Sequence, residues 1–398
     1  MRCFLGAFGD PGHAFPMLAL GAELAQRGHE VTYETWARWG RHVEDAGMRF
    51  VAAPEYPVFP TRERPMSPYE AVVAAVGQTR PAVTRAAPDV VVHDLLTLAP
   101  ALCGELEGVP VATVIPHLYP VGVPGLAPFG LGARPPRTRV GATLWPAFDP
   151  LVARGLRRGQ AELDDTRAQV GLKPTGRVFG GLSSELCLVA TFPQLEYPRP
   201  WPAHVQVTGP LLWEPGGAAV TPPPGQAPLV LVATSTAQDP ENRLLRAALA
   251  GLAGEPVRVL GVWNGRTPAP AIAIPANARV VSWLSYAQAM TDCALVVCHG
   301  GSGTLGRALA SGCPVLAVPH AGDMHENAAR LCWIGAGRRL PWPLLSAPTL
   351  RHAVRRALAD PGLAERAGQL GAWAATHDGA KRAADLVEEL SVRRSGGR

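Results

Sequence analysis

VVCHGGSGTLGRALASGCPVLAVPHAGDMHEN, residues Val296–Asn327, reads as a buried strand, a glycine-rich turn, an amphipathic helix and a second buried strand. The first strand closes on His299, and Gly300-Gly301-Ser302-Gly303-Thr304 leads into the helix. Such a turn leaves backbone N–H groups unpaired at the positive end of a helix dipole, which suits an anion such as a diphosphate. The pattern lacks G-x-x-x-x-G-K-[ST], so this is no P-loop nucleotide hydrolase. A plain strand–helix turn also uses glycine for close packing; His299 at the strand tip is what points to a ligand.

Outward from this stretch the same alternation repeats. Leu229–Thr234, Val257–Val262, Arg279–Trp283, Ala294–Cys298 and Pro314–Val318 read as strands. Helices fit at Glu241–Leu252, Gly303–Ser311, His325–Ile334, Ala347–Leu358 and Leu363–Trp373. Residues 213–228, WEPGGAAVTPPPGQAP, have three consecutive prolines and no periodicity, and read as an interdomain linker. Before it, Arg2–Phe8, His29–Thr35, Arg49–Ala52, Asp89–His93, Val109–Ile115 and Leu186–Thr191 are strand-like, with helices at Ala14–Arg27 and Trp36–Ala46. Strands alternating with helices imply parallel βαβ units. The expectation is an α/β protein of two Rossmann-like domains facing a central cleft. Residues 1–212 form the first domain, 213–228 the linker and 229–376 the second, with a terminal helix and tail (377–398) free to pack back on the first. Ligands in such folds bind at the carboxyl ends of the strands.

The chain has 398 residues, 47% of them apolar and 17% charged, which excludes disorder and supports two cores. The net charge is +5 and scattered, with no basic run, so nucleic acid is not expected as a partner. Seven cysteines without a C-x-x-C read as reduced, buried thiols. The start, MRCFLGAFGDPGH, is not a signal peptide and no long apolar run predicts a transmembrane segment, so a cytoplasmic protein is expected.

Gly6-Ala-Phe-Gly-Asp-Pro-Gly-His13 follows the first strand and opens the first helix. It departs from G-x-G-x-x-G, but Glu34 at the end of the second strand keeps an NAD-dependent oxidoreductase as an alternative. A helix start disfavours an imidazolium, so His13 is expected to stay neutral and serve as a base. Asp94 ends another strand of the same domain and can hold the Nδ1 proton of His13, as in triad chemistry. Capping of the next helix is the plainer use of that carboxylate.

Taken together, these motifs resemble the inverting family 1 glycosyltransferases, which have the GT-B fold and use nucleotide-sugars; the likeness is greatest to bacterial natural-product (macrolide-type) members. Gly12, His13 and Pro16 with Arg27-Gly-His-Glu-Val-Thr32 match the family's first motif. Trp283-Leu-Ser-Tyr286, His299-Gly-Gly301, and Pro319 through Asp323, Met324, Asn327 and Ala328 match its donor signature. The resemblance implies that His13 deprotonates an acceptor hydroxyl and that Asp94 orients it. It implies that Trp283 stacks on the nucleotide base while the Leu284 backbone reads its edge. Ser235, His299 and Gly301, Ser302, Gly303 and Thr304 are then near the diphosphate, and Asp323 and Met324 near the sugar. The family has Gln at the positions of Tyr286 and Met324 and Glu at that of Arg307. The first and last of these commonly hold the ribose hydroxyls, so donor identity is open here, UDP- and TDP-sugars both included.

The expected reaction is an in-line, inverting transfer to a hydroxyl of a small apolar or aromatic acceptor. No D-x-D and no Cys/His cluster is present, so neither a metal nor another cofactor is expected. Residues 54–68 and 116–140 are rich in Pro and Gly and read as long loops, and Tyr56, Phe59, Tyr69, His117, Tyr119, Phe129 and Trp145, in loops 54–80 and 116–148, are candidate acceptor contacts. A GT-B sugar-nucleotide epimerase and a non-catalytic nucleotide-sugar-binding partner remain further alternatives. A monomer and a homodimer are both compatible with the sequence.

Overall fold

A computed structural model of the chain describes residues 1–55, 67–123, 125–136, 138–217, 219–235, 239–264 and 272–395. Two parallel sheets make up its frame. The first holds β1 (Arg2–Gly6), β2 (Glu30–Thr35), β3 (Arg49–Ala52), β4 (Val90–Asp94), β5 (Val111–Ile115), β6 (Leu186–Val189) and β7 (Val205–Val207), in the order β3-β2-β1-β4-β5-β6-β7. The second holds β8 (Leu229–Ala233), β9 (Arg258–Val262), β10 (Ala278–Val281), β11 (Leu295–Cys298), β12 (Val315–Ala317) and β13 (Gly337–Arg339), in the order β10-β9-β8-β11-β12-β13. Every pairing is parallel. Helices on both faces bury these strands, which explains why β4, β5, β8 and β11 are buried at every residue.

The strand order reverses between β1 and β4 in one sheet and between β8 and β11 in the other. Chain connections leave in opposite directions at those points and open a crevice beyond the strand ends. Four helices matter for the site: α1 (Pro11–Gln26), α2 (Ser302–Ala310), α3 (Asp323–Ile334) and α4 (Gly379–Ser395). Pro11 starts α1, where its missing N–H costs nothing.

Helix α4 packs against the first sheet, burying Ala383, Ala384, Val387 and Leu390 in one cluster with Cys3, Leu5 and Leu24. Arg27 donates to Asp385 at 2.8 Å and Glu388 at 3.0 Å, and His29 meets Glu388 at 2.7 Å. Two residues of the Arg27–Thr32 motif therefore clamp a distant helix. Residues 213–228 are tied to both sheets. Trp213 packs on Phe15, their ring centres 5.0 Å apart, and Arg258 donates to the carbonyls of Pro223 and Ala227.

Several elements differ from the sequence expectations. The loop expected over 54–80 becomes a helix at Pro68–Ala86, entered through a capping box of Ser67 and Glu70. A 21-residue helix, Asp149–Gln169, follows the aromatic loop, and Leu98–Leu106 is helical too. The edge strands β7 and β13 are three residues long, too short to leave a periodic signal. All seven cysteines are free. Among the described residues no helix is long and apolar enough to cross a membrane.

Glu34 is 3% exposed, and its carboxyl group accepts from the Thr79 hydroxyl at 2.8 Å. It is thus sealed off from any ribose, against the oxidoreductase alternative. Burial pushes its pKa up from 4.5 to about 7, the Thr79 hydrogen bond opposing only in part. The folded state therefore keeps a proton that the unfolded chain gives up, and stability falls as pH rises from about 4.5 to about 7. Glu34→Gln removes that loss. Thermal melts should place the variant above the wild type at pH 8, by at most about 3 kcal/mol, and level with it near pH 4.

Candidate functional site

His13 lies in the first turn of α1, immediately beyond β1, and Asp94 is the last residue of β4. The two strands are neighbours, so the switch point of the first sheet brings together residues 81 positions apart. His13 Nδ1 donates to Asp94 Oδ1 at 2.7 Å. The Phe8 amide and the Thr97 hydroxyl, each at 3.3 Å, donate to Asp94 Oδ2. Asp94 is 1% exposed and His13 18% at the side chain, which leaves Nε2 as the ring nitrogen free to accept a proton.

Burial disfavours a charged His13. The charge and hydrogen bond of Asp94, with smaller help from Asp10 and Asp323, outweigh it and raise its pKa above the ordinary imidazole value. Burial likewise opposes charge on Asp94, but His13 and the Phe8 amide bring its pKa below the usual carboxylate range. The expectation that the helix start keeps His13 neutral is therefore corrected in direction. A helix end carries about half a charge, spread over several N–H groups, against a whole carboxylate charge at hydrogen-bond distance.

The second half of the site sits at the switch point of the other sheet. Ser235 follows β8, and His299 follows β11. Gly300 has φ +85°, and a Cβ on Gly301 would stand 2.4 Å from His299 Nε2. Glycine at both positions lets the turn fold against the imidazole and open α2 with Ser302, Gly303 and Thr304 in its first turn. Burial lowers the His299 pKa to about 4, so the ring is neutral; its Nδ1 is buried with no partner among the described residues.

Asp323 opens α3 and is held from both sides. Ser302 Oγ donates to its Oδ2 at 3.2 Å, and so does Asn327 Nδ2, which also donates to the Gly300 carbonyl at 2.9 Å. Met324 is beside it, its backbone against Gly300. Asp323 acts electrostatically on both His13 and His117, so α3 of one sheet faces α1 of the other.

Trp283 is 37% exposed, with Leu284 buried behind it. Glu214 fixes this loop by accepting from the Ser285 hydroxyl at 2.5 Å and the Ala287 amide at 2.9 Å. Tyr286 turns its hydroxyl inward to Asn264, 3.4 Å away, and Arg307 is half-buried beside Glu214.

The candidate acceptor residues scatter. His117 and Phe129 pair at 6.1 Å between ring centres, and His117 Nδ1 donates to the Leu118 carbonyl at 2.7 Å, leaving Nε2 free. Tyr119 is 5% exposed and lies beneath the Arg199 guanidinium. Tyr69, on the helix Pro68–Ala86, donates to the Gly159 carbonyl at 3.3 Å, and Trp145 packs on Phe148. Tyr56 and Phe59 lie outside the described residues. The sequence assigned no role to Phe8, Thr97 or Glu214, and Asn327 entered only as a member of the donor signature. Among the described residues no group of three or more His, Cys, Asp or Glu is placed to hold a metal ion.

The chain resembles known proteins over almost its whole length. Residues 259–390 match the family described as erythromycin biosynthesis protein CIII-like, C-terminal domain. The chain is 30% identical to 4'-demethylrebeccamycin synthase of Lentzea aerocolonigenes, covering 95% of this chain and 97% of the relative. It is 29% identical to O-mycaminosyltylonolide 6-deoxyallosyltransferase of Streptomyces fradiae, covering 99% of each. Among solved structures, CalG4, the calicheamicin glycosyltransferase, superposes with a TM-score of 0.76 at 25% identity over 99% of both chains. Glycosyltransferase VinC in complex with DTDP gives 0.70 at 20% identity, covering 99% of this chain and all of that one.

Replacing Asp94 by Asn removes the charge that holds the proton on His13. An NMR titration of the His13 ring should then move to lower pH, while the folded spectrum persists.

Proposed function

The chain belongs to the family 1 glycosyltransferases of natural-product biosynthesis, with the GT-B fold, and we propose that it moves a sugar from a TDP-sugar to a hydroxyl of a small apolar or aromatic acceptor, with inversion. The observation that carries this reading is the pairing of His13 with Asp94 at 2.7 Å on one sheet, within electrostatic reach of Asp323 on the other. The acceptor hydroxyl gives its proton to His13 Nε2 as its oxygen attacks the anomeric carbon. The C–O bond to the diphosphate breaks on the opposite face, and the bonding electron pair leaves with the diphosphate.

Asp94 stabilises the imidazolium as it forms, and general-base help of this kind is worth roughly 10²–10⁴-fold. The leaving diphosphate gains charge in the transition state. N–H groups at the start of α2, with neutral His299 as a further donor, stabilise that charge selectively. Asp323, fixed by Ser302 and Asn327, is the group that receives the sugar hydroxyls. Trp283 offers its exposed face to the base.

Thymidine is favoured over uridine by what the ribose positions lack. Tyr286 spends its hydroxyl on Asn264, and Arg307 is a cation beside Glu214, so neither is the carboxamide or carboxylate that takes a ribose diol. A 2'-deoxyribose needs one such contact fewer. Met324 in place of an amide fits a deoxysugar, since a missing hydroxyl leaves no unpaired partner. VinC was solved with DTDP, and the Streptomyces fradiae relative is named for a 6-deoxyallosyl donor, in line with this choice.

A thermal-shift screen of TDP, UDP and GDP, followed by turnover of their sugars on planar phenolic acceptors such as alizarin, tests the reading. At about 100 Kd the preferred nucleotide adds ~2.7 kcal/mol; TDP should give the largest shift. His13→Ala should lose roughly 10²–10⁴ in kcat. Because the base acts as neutral imidazole, kcat/KM should fall as pH drops, with an acidic limb on the alkaline side of an ordinary histidine. Full activity in His13→Ala, or a shift with UDP and none with TDP, overturns the respective part.

A further inference from the structure

A second contact between the two sheets lies beside the site and is not part of its chemistry. The loop leaving β5 runs through His117 and Phe129 and then crosses to α3. Gly130 and Gly132 both donate their amides to Glu326 Oε1, at 2.9 and 2.8 Å. Arg339 Nη1 donates to the Gly132 carbonyl at 2.9 Å. The crossing is tight: Gly132 has φ +62°, and a Cβ there would stand 2.5 Å from the His325 carbonyl oxygen.

Behind this junction the other Glu326 oxygen pairs with Arg330, whose guanidinium lies 4.1 Å from the centre of the Tyr197 ring. The Tyr197 hydroxyl closes the circuit by donating to the Ala133 carbonyl at 3.1 Å. Glu326 and Arg330 are 4% and 6% exposed, so these are charge-assisted bonds shielded from water.

Glu326 stands one helical turn after Asp323 on α3. The same rigid helix thus presents Asp323 to the cleft and holds the loop that carries His117 and Phe129. We propose that Glu326 is a positioning residue for sugar transfer: with Arg339 it clasps residues 130–132 to α3, so that an acceptor seated against His117 and Phe129 stands in register with the sugar at Asp323. This rests on the transferase reading above. A loop released from the clasp leaves the donor bound and its hydrolysis unchanged, but the acceptor is held out of register and transfer slows. Misplacement by about 1 Å is enough to cost a bimolecular step up to ~10²-fold.

The test uses the full-length enzyme with Glu326→Gln, Arg339→Ala, Arg339→Lys and Gly132→Ala. Arg339→Ala and Gly132→Ala attack the clasp without leaving a charge buried, should Glu326→Gln fail to fold. Three quantities are read: the stability shift with TDP alone, hydrolysis of the wild type's preferred sugar donor without acceptor, and transfer of that sugar to the acceptor. In Arg339→Ala and Gly132→Ala the TDP shift and the hydrolysis rate should hold. The transfer-to-hydrolysis ratio should fall about ten- to hundredfold, mostly as a rise in acceptor KM. Arg339→Lys, which keeps one donor for one carbonyl, should restore most of it, and amide exchange over 125–136 should quicken wherever the ratio falls. An unchanged ratio, or transfer and hydrolysis falling together, overturns the clasp. A wild type that transfers no sugar overturns the reading beneath it instead.

Discussion

A carboxylate buried where two parallel strands diverge is the constraint on which this molecule turns. Asp94 is sealed from water, and its oxygens are divided among the His13 ring, the Phe8 amide and the Thr97 hydroxyl. An ionised group in that position is tolerable only when its partners are fixed. The turn after β1 must therefore place Phe8 and His13 together, and the turn after β4 must place Thr97. The same arrangement that makes the charge bearable leaves one face of an imidazole looking out of the fold with raised affinity for a proton.

The second sheet solves a different problem with the same topology. Its turn carries no ionised group of its own beyond Asp323; it supplies unpaired N–H groups and a neutral His299. An anion is thus offered dipoles on one wall and a proton acceptor on the other. The proposed transfer needs both, and neither sheet has both. The two walls also share packing: Leu118, Phe192 and Leu195, which follow strands of the first sheet, are buried in one cluster with Leu229, Leu231 and Val296 of the second.

How far the sequence disclosed this follows from what each feature depends on. Buried parallel strands are runs of apolar residues, so most strands and the two-sheet plan were legible. Helices with a polar face, such as Asp149–Gln169, and the edge strands β7 and β13 were not, since their signal is tertiary. His13, Asp94 and His299 could be singled out because each stands at the end or start of an element, and Asp323 only through the family resemblance. Their mutual placement required the strand order. The cost of burial against the pull of Asp94 could not be weighed from sequence, and so the direction of the His13 pKa shift was missed. The acceptor side was the least legible: an aromatic residue in a loop carries no mark of whether it pairs with another ring, like His117 and Phe129, or lies under an arginine, like Tyr119.

The terminal helix α4 is held on the first sheet by Arg27 and His29, although it follows the second sheet in the chain. The polypeptide passes from one half to the other after β7 and returns before α4. A recombinant exchanging halves between relatives must accordingly splice at both crossings. An exchange at the linker alone would pair the first sheet with a foreign terminal helix and mismatch the Arg27 and His29 ion pairs.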